Sequence, residues 1–380
     1  MAETALNILE LKNNNRYRIL DLLRYKLLSR AELSKETGLA KSSVTTLVKE
    51  MINEGILLEL GPARKNGTAG RTRILLDING SYGFVLGINL HRKRISVAAV
   101  NIKGKELWSF TLPTADLTSI EALELIKKAL PAKIAEAKLN MNNLLGLGIS
   151  APGPLDCEKG VILEPPNFKL FNNFPIVESL KKEFGCPVIL ENDAVTLALA
   201  EHSYINKQIG GSLFVTVSNG IGGALLKNGD IYGGSHGIAG ELGHISIDPF
   251  GEECPCGNRG CLEQYATLAA LKNRFGITNS AELTSEDSEN GKAAFDFLIN
   301  TMGTALVGAV NLFDLDTVIL YGELDNGTEK ITAALEEYIK SHSVICRVHP
   351  VKVKPSGLKK GSSAFAAAIP AINYFFNNSF

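Results

Sequence analysis

Apolar side chains recur at helical spacing in the first 53 residues and then give way to strand-like runs. Residues 16–28 read as a helix with Ile19, Leu20, Leu22, Leu23 and Leu27 on its buried stripe. Ser29 followed by Glu32 is a capping box, which starts a second helix over residues 30–37. Gly38 then suits a left-handed stop. A third helix spans residues 41–53, with Val44, Leu47, Val48, Met51 and Ile52 as its apolar face. Its other face is short, polar and partly basic: Lys41, Ser42, Ser43, Thr45, Thr46 and Lys49. Two short strands, 56–60 and 73–76, flank a glycine-rich loop carrying Arg64, Lys65 and Arg71. Helix, glycine turn, Ser/Thr-rich helix and basic hairpin make the pattern of a winged helix-turn-helix. In that pattern the third helix enters the major groove and the hairpin approaches phosphates or the minor groove. A three-helix interaction module with a solvated basic loop is the alternative.

From Tyr82 the pattern turns to strands at 84–90, 95–102 and 107–112, with a turn at Lys103–Gly104. The same outline returns at 213–217, 223–226 and 231–232, with a turn at Asn228–Gly229. Amphipathic helices are expected at 119–139 and 176–184, before a strand at 188–190. A helix at 295–313, a strand at 317–321 and a last helix at 363–376 follow. The expected organisation is an α/β body behind a small head. Residues 1–80 form the head. Residues 81–380 form the body.

Composition adds two points. The head carries 13 Lys and Arg against 9 Asp and Glu, whereas the remaining residues carry 26 against 31. A modestly basic head thus sits on an acidic body, and its small excess implies DNA affinity built from a dimer or several modest contacts. Cys157, Cys186 and Cys346 are scattered rather than paired, as expected of a reducing cytoplasm. No apolar run approaches bilayer-spanning length and the N-terminus lacks a basic-then-apolar signal, so a cytoplasmic protein without a membrane partner is expected.

The most specific chemistry lies between His244 and Glu263. Cys254, Cys256 and Cys261 fall within eight residues, and His244 lies ten positions before the first of them. Three thiolates and an imidazole complete the tetrahedral set that zinc takes in structural sites. Gly257 and Gly260 permit the tight turns that bring the sulfurs together.

These residues also carry a resemblance. C-x-C-G-x-x-G-C-x-E, over 254–263, and A-G-E-x-G-H, over 239–244, resemble the signatures of the ROK family of repressors, open reading frames and sugar kinases. Glu191, Asn192, Asp193 and Ala194 are similar to that family's E-N-D-A motif, and A-P-G-P-L-D at 151–156 also fits. The resemblance covers about residues 80–380. It implies two similar α/β lobes of the actin–hexokinase type (ribonuclease H-like) with a cleft between them, the first formed by residues 81–196 and a C-terminal helix within 363–380, the second by residues 197–362. It further implies that Asn192, Asp193, Glu241, His244 and Glu263 bind a sugar, His244 meeting zinc through one ring nitrogen and the sugar through the other. Asn167, in P-P-N-F, is a further candidate contact. A homodimer or homotetramer is implied as well, and the winged head belongs to the family's repressors.

The phosphate loops separate regulator from kinase. Kinases of the family carry D-x-G-G-T, where this chain has Asn89, Leu90, His91, Arg92 and Lys93. Side chains replace the glycines, and the carboxylate that helps to place magnesium is neutral. The second loop, G-T-G-x-G-G in the family, reads Ser218, Asn219, Gly220, Ile221, Gly222, Gly223, and the adenosine glycine pair is Gly322–Glu323. The expected function is therefore a sugar-responsive transcriptional regulator, most simply a repressor, binding operator DNA and a sugar effector. Lobe closure would reach the head through the linker near Gly80. The alternative is an Mg-ATP-dependent hexose or N-acetylhexosamine kinase with an appended head, in which Asp193 is the general base. Clamping of the triphosphate by Arg92, Lys93 and Arg94 belongs to that alternative. A protein–protein module is a third reading.

Overall fold

The computed structural model describes residues 2–63, 73–165, 168–207, 210–277, 279–285, 287–322 and 328–378. The head opens with helix α1 (Ala2–Tyr25) and a two-residue strand β1 (Leu28–Ser29). Helices α2 (Arg30–Thr37) and α3 (Lys41–Asn53) and strands β2 (Leu57–Ala63) and β3 (Arg73–Ile78) complete it. The capping box forms, since Glu32 N donates to Ser29 Oγ and the Glu32 carboxylate accepts from Ser29 N at 2.9 Å. Gly38 stops α2 at φ 71°. α1 begins earlier than its apolar stripe predicts and ends before Leu28. Leu28 instead pairs with Leu76 in a strand, buried in the head's core.

The first lobe begins with β4 (Phe84–His91), β5 (Arg94–Asn101), β6 (Glu106–Pro113), α4 (Ser119–Glu136) and β7 (Leu144–Ala151). It continues with β8 (Leu155–Asp156), β9 (Val161–Ile162), α5 (Ile176–Phe184), β10 (Val188–Asn192) and α6 (Asp193–Ala200). The second lobe holds β11 (Gly211–Val217), β12 (Ile221–Lys227), β13 (Asp230–Ile231), α7 (Glu263–Ala266) and α8 (Leu268–Phe275). Its remaining elements are α9 (Glu289–Phe313), β14 (Thr317–Gly322), α10 (Thr328–His342) and β15 (Lys352–Pro355), before the last helix, α11 (Ser363–Asn378).

The two five-stranded sheets share one plan. The first runs β10-β7-β4-β5-β6 and the second β15-β14-β11-β12-β13. In each, the first three strands are parallel and the last two antiparallel. The two strand outlines noticed in the sequence are the β4–β6 and β11–β13 antiparallel arms of these sheets. The boundary expected at residue 196 falls inside α6, which packs between the lobes.

α11 crosses back onto the first sheet, as its apolar pattern predicts, through buried Ala364, Ala367, Ala368 and Ala371. That approach is close enough that a Cβ at Gly87 or Gly148 would overlap the α11 backbone. α9 is the one described helix long and apolar enough to cross a bilayer, a length that no segment was expected to reach. Half of that stretch is buried inside the second lobe, including Leu298, Met302, Leu306 and Val310, so it serves as a core helix.

The head is not tethered by a loose linker. One continuous core joins Ile19, Leu20, Leu23 and Met51 of the head to Ala194 and Ala198 of α6, Phe214 and Ile319 of the second sheet, and Ile372 and Phe376 of α11. Gly80 is itself packed, a Cβ there falling 2.7 Å from Asn101 Nδ2.

Candidate functional site

The cleft between the lobes is lined by Asn192, Asp193, Glu241, His244 and Glu263, five residues spread over 72 positions of sequence. β10 ends in Asn192, whose side-chain oxygen caps α6 by accepting from Ala194 N (2.9 Å) and Val195 N. The cap consumes the carbonyl side of that amide and leaves its NH2 for the cleft. A Cβ built at Gly153 would lie 3.1 Å from this Nδ2 and 3.3 Å from Glu241 Oε1, so both groups converge on one spot beside Gly153. Asp193, in the first turn of α6, accepts from Ala194 N at 2.8 Å. It keeps some contact with solvent through the cleft, yet burial pushes its carboxyl up to about 6, with the charge of Glu241 acting in the same direction. Burial also raises Glu241, while His244 opposes and Glu263 adds to that shift. Glu263 is fixed from outside the acid cluster, because its Oε2 accepts from Ile221 N at 2.9 Å. Several charged or amide groups aimed into one polar recess are what a polyhydroxylated ligand requires, since a buried unpaired hydroxyl is costly.

Sequence reasoning missed other parts of this wall. Phe168, Thr216 and the Pro152–Gly153 backbone line the same cleft. Phe168 is the aromatic of the P-P-N-F segment and was visible beside Asn167. Asn167 itself lies outside the described residues.

Next to the acids stands the Cys/His cluster. His244 Nδ1, Cys254 Sγ, Cys256 Sγ and Cys261 Sγ all lie within 4.8 Å of one another and could hold one metal ion. Cys256 Sγ and Cys261 Sγ are 3.7 Å apart, and Cys254 Sγ and His244 Nδ1 are 3.6 Å apart. Bond lengths of zinc in a tetrahedral site imply about 3.8 Å between two sulfurs and about 3.6 Å between sulfur and nitrogen. The donor set therefore fits that ion. Burial, then the neighbouring thiols, hold Cys261 up to about 12, a state that a bound dication reverses by stabilising thiolate. The turn depends on Gly260, at φ 66°, where a Cβ would overlap the Asp248 carbonyl. With Nδ1 turned toward the sulfurs, Nε2 is the nitrogen His244 has left for the cleft.

The phosphate-loop positions behave differently. Asn89 does not line the cleft. It is buried in β4 and donates to Ser150 Oγ at 3.2 Å; Ser150 is 3.1 Å from Thr196 Oγ1, which donates to Asp193 O. His91 and Arg92 do line the cleft, and His91 is held below the usual histidine range by burial and by Arg94 and Arg92. Lys93 is exposed in the β4–β5 turn and is not part of the lining. Ser218, Asn219, Gly220 and Gly222 border the cleft. At Gly220 a Cβ would overlap the Glu263 carboxylate, so this loop supports the acid cluster directly. Gly322 approaches β11 so closely that a Cβ would overlap Val217, a contact between strands; Glu323 lies outside the described residues.

In the head, Lys41, Ser42, Ser43, Thr45, Thr46 and Lys49 are all exposed on α3. Ala40 gives α3 no side-chain cap, so the first N–H groups of this helix point outward without a side-chain acceptor. Arg64, Lys65 and Arg71 lie outside the described residues.

Two α/β lobes of one plan with a polar cleft between them define the actin–hexokinase-like fold class. The ROK family model matches residues 85–373, and the chain belongs to the ROK family. It is 28% identical over 373 residues to the xylose repressor of Caldicellulosiruptor bescii, covering 92% of this chain and 93% of that protein. It is 25% identical over 346 residues to the DNA-binding transcriptional dual regulator NagC of Escherichia coli K12, covering 86% and 84%. Among solved structures, a ROK family transcriptional regulator homologous to E. coli MLC superposes with a TM-score of 0.80 at 23% identity, over 96% of this chain and 97% of that one. The ROK hexokinase of Thermus thermophilus gives a TM-score of 0.65 at 30% identity, covering 75% of this chain and 97% of its own. The hexokinase match thus leaves about a quarter of this chain uncovered, whereas the three regulators cover 86% to 96% of it.

Proposed function

We propose that this chain is a cytoplasmic, sugar-responsive transcriptional repressor. α3 and the hairpin after β2 contact operator DNA, and a sugar binds the interlobe cleft through Asn192, Asp193, Glu241, His244 and Glu263. The carrying observation is the pairing of a complete polar cleft with a phosphate end in which Asn89 is buried as a neutral partner of Ser150. Zinc at His244, Cys254, Cys256 and Cys261 is structural in this reading. It fixes the imidazole's tautomer and the Glu263 segment, while the chain's own groups make the hydrogen bonds to the sugar. A homodimer places two heads on a two-fold operator and offsets the small charge excess of each. The test is operator binding with and without D-xylose, D-glucose or N-acetyl-D-glucosamine. The expected outcome is that one sugar weakens operator binding by about 5- to 150-fold, the usual range of coupling between sites. Unchanged affinity with every sugar that binds would sink the proposal.

One observation favours the kinase alternative. Asp193 stands in the cleft with its carboxyl raised to about 6, suited to accept a proton from a sugar hydroxyl near neutral pH. ADP release with Mg-ATP separates the two readings. Turnover on the order of 1 per second or faster marks a working kinase.

A further inference from the structure

The last turn of α1 rests on the far end of the helix that begins in the cleft. α6 starts at Asn192–Asp193, runs eight residues and passes into a five-residue π turn, Glu201–Ile205. Tyr25 donates its hydroxyl to the His202 carbonyl in that turn. Asp21 pairs with Lys207 just beyond it, at 2.9 Å. Arg24 is buried between them, its Nη2 donating to Asn373 Oδ1 of α11 at 2.7 Å. Its guanidinium sits 4.6 Å from the centre of the Phe376 ring and 5.5 Å from that of Tyr204.

The same turn is fastened to the second lobe. Glu201, fully buried, accepts from Ser356 Oγ at 2.6 Å and from Gly357 N at 3.0 Å, both just after β15. One short segment thus touches the sugar-site helix, the second lobe and the head.

This seam is incompletely satisfied. Arg24 Nε and Nη1 are buried and make no hydrogen bond, and the nearest carboxylate, on Asp21, is 3.8 Å away. The hydroxyl of Tyr204 is also buried without a partner. Buried donors without acceptors are uncommon and costly, and a π turn is a one-residue excess over α-helical register that often marks a functional position. A seam with both features is the kind of element on which a two-state coupling can act.

We infer that α6 and its π turn carry cleft occupancy to the DNA-binding head, with Arg24 and Tyr25 as the positioning residues that seat α1 upon them. The inference rests on the sugar-responsive reading above. It moves the route of control from the linker near Gly80 to the α1 seam. A sugar bound to Asn192 and Asp193 restrains the first turn of α6, and closure of the second lobe pulls on Glu201 at the other end. Both displacements meet at the carbonyl of His202 and at Tyr204, on which Tyr25 and Arg24 rest.

The experiment uses the full-length metal-loaded protein and a duplex that the wild type selects from a random pool. Duplex affinity is measured by fluorescence anisotropy with and without saturating D-xylose, D-glucose or N-acetyl-D-glucosamine, and sugar affinity by calorimetry. Tyr25→Phe and Arg24→Met should each bring the sugar-induced ratio of duplex affinities to within about twofold of one, against the 5- to 150-fold usual for coupled sites. Sugar affinity itself should stay within about threefold of wild type, a change far below that coupling. A purely structural role would lower both affinities and leave their ratio intact. Should Arg24→Met fail to fold, Tyr25→Phe decides alone, because it deletes one oxygen. A wild-type ratio in folded Tyr25→Phe overturns the relay while leaving the sugar-responsive reading in place. A ratio of one in the wild type with every sugar overturns that reading and the relay with it.

Discussion

The two ends of the interlobe cleft differ in what lines them. At one end Asn192, Asp193, Glu241, His244 and Glu263 converge with the family's residue types in place. At the other, His91 and Arg92 line the wall where glycines would let backbone meet a triphosphate, and Asn89 lies behind it, buried against Ser150. Binding a sugar needs only the first end, since hydrogen bonds to hydroxyls do not involve the phosphate loops. Phosphoryl transfer needs both ends, with magnesium and backbone donors in register. On the repressor reading proposed above, a kinase fold gives up transfer chemistry and keeps ligand binding because the ligand end is held independently. Here it is held by the Cys3His cluster and by the Ile221 N–H to Glu263 bond.

The sharpest way to break this contrast is to remove the metal. Chelation, or Cys261→Ser, should abolish sugar binding in calorimetry and lower the melting temperature, because His244 and the Glu263 segment lose their anchor. Structural zinc supplies on the order of 10 kcal/mol of folding free energy in small domains, so this is the largest effect expected. Sugar binding that survives full chelation would show that the acids stand without the ion.

A smaller, two-signed effect follows from Asp193→Asn. Removing a charged hydrogen-bond acceptor should weaken sugar binding by about 2 kcal/mol, or roughly 30-fold. The same change should stabilise the free protein above pH 6. The folded carboxyl titrates near 6, above its ordinary value of 3.8, so its ionisation costs stability that is intact below pH 4 and lost as pH rises through about 6. About 3 kcal/mol is at stake, and melting curves at pH 4 and 7.5 should show the gain only at the higher pH. In the wild type, sugar affinity should fall up to tenfold per unit as pH drops below about 6, because the protonated acid is a neutral and weaker acceptor. A flat profile in calorimetry would remove Asp193 from the contact set.

The smallest effect belongs to the other end of the cleft. Arg92→Ala should leave sugar affinity within about threefold, under 1 kcal/mol, since Arg92 is exposed. A much larger loss would mean that the ligand extends across the phosphate end.

How far the sequence was legible follows from how local each signal was. The capping box at Ser29–Glu32, the stop at Gly38 and the bounds of α2 and α3 appear where the pattern placed them, because caps and helical periodicity act over four residues. β7 was harder. Its run L-L-G-L-G-I-S-A carries glycines that weaken a strand pattern, and one of them, Gly148, makes room for the α11 backbone from far along the chain. Asn89 was read as a degenerate loop position. Its bond to Ser150 depends on the pairing of β4 with β7, which spacing does not reveal.

By itself, then, the sequence determined α2 and α3 of the head, the metal-type cluster and the family motifs, each of which is short and carries its own geometry. Tertiary structure alone decided that five polar residues from separate elements share one cleft, and that burial lifts Asp193 to about 6. It also decided that the head is fused to the body through Arg24, Tyr25 and a π turn rather than through a free linker. The physical reason is common to all three. Burial and hydrogen-bond partnership depend on which distant segments meet, and that is set by the packing of two sheets and α11 rather than by neighbours in the chain.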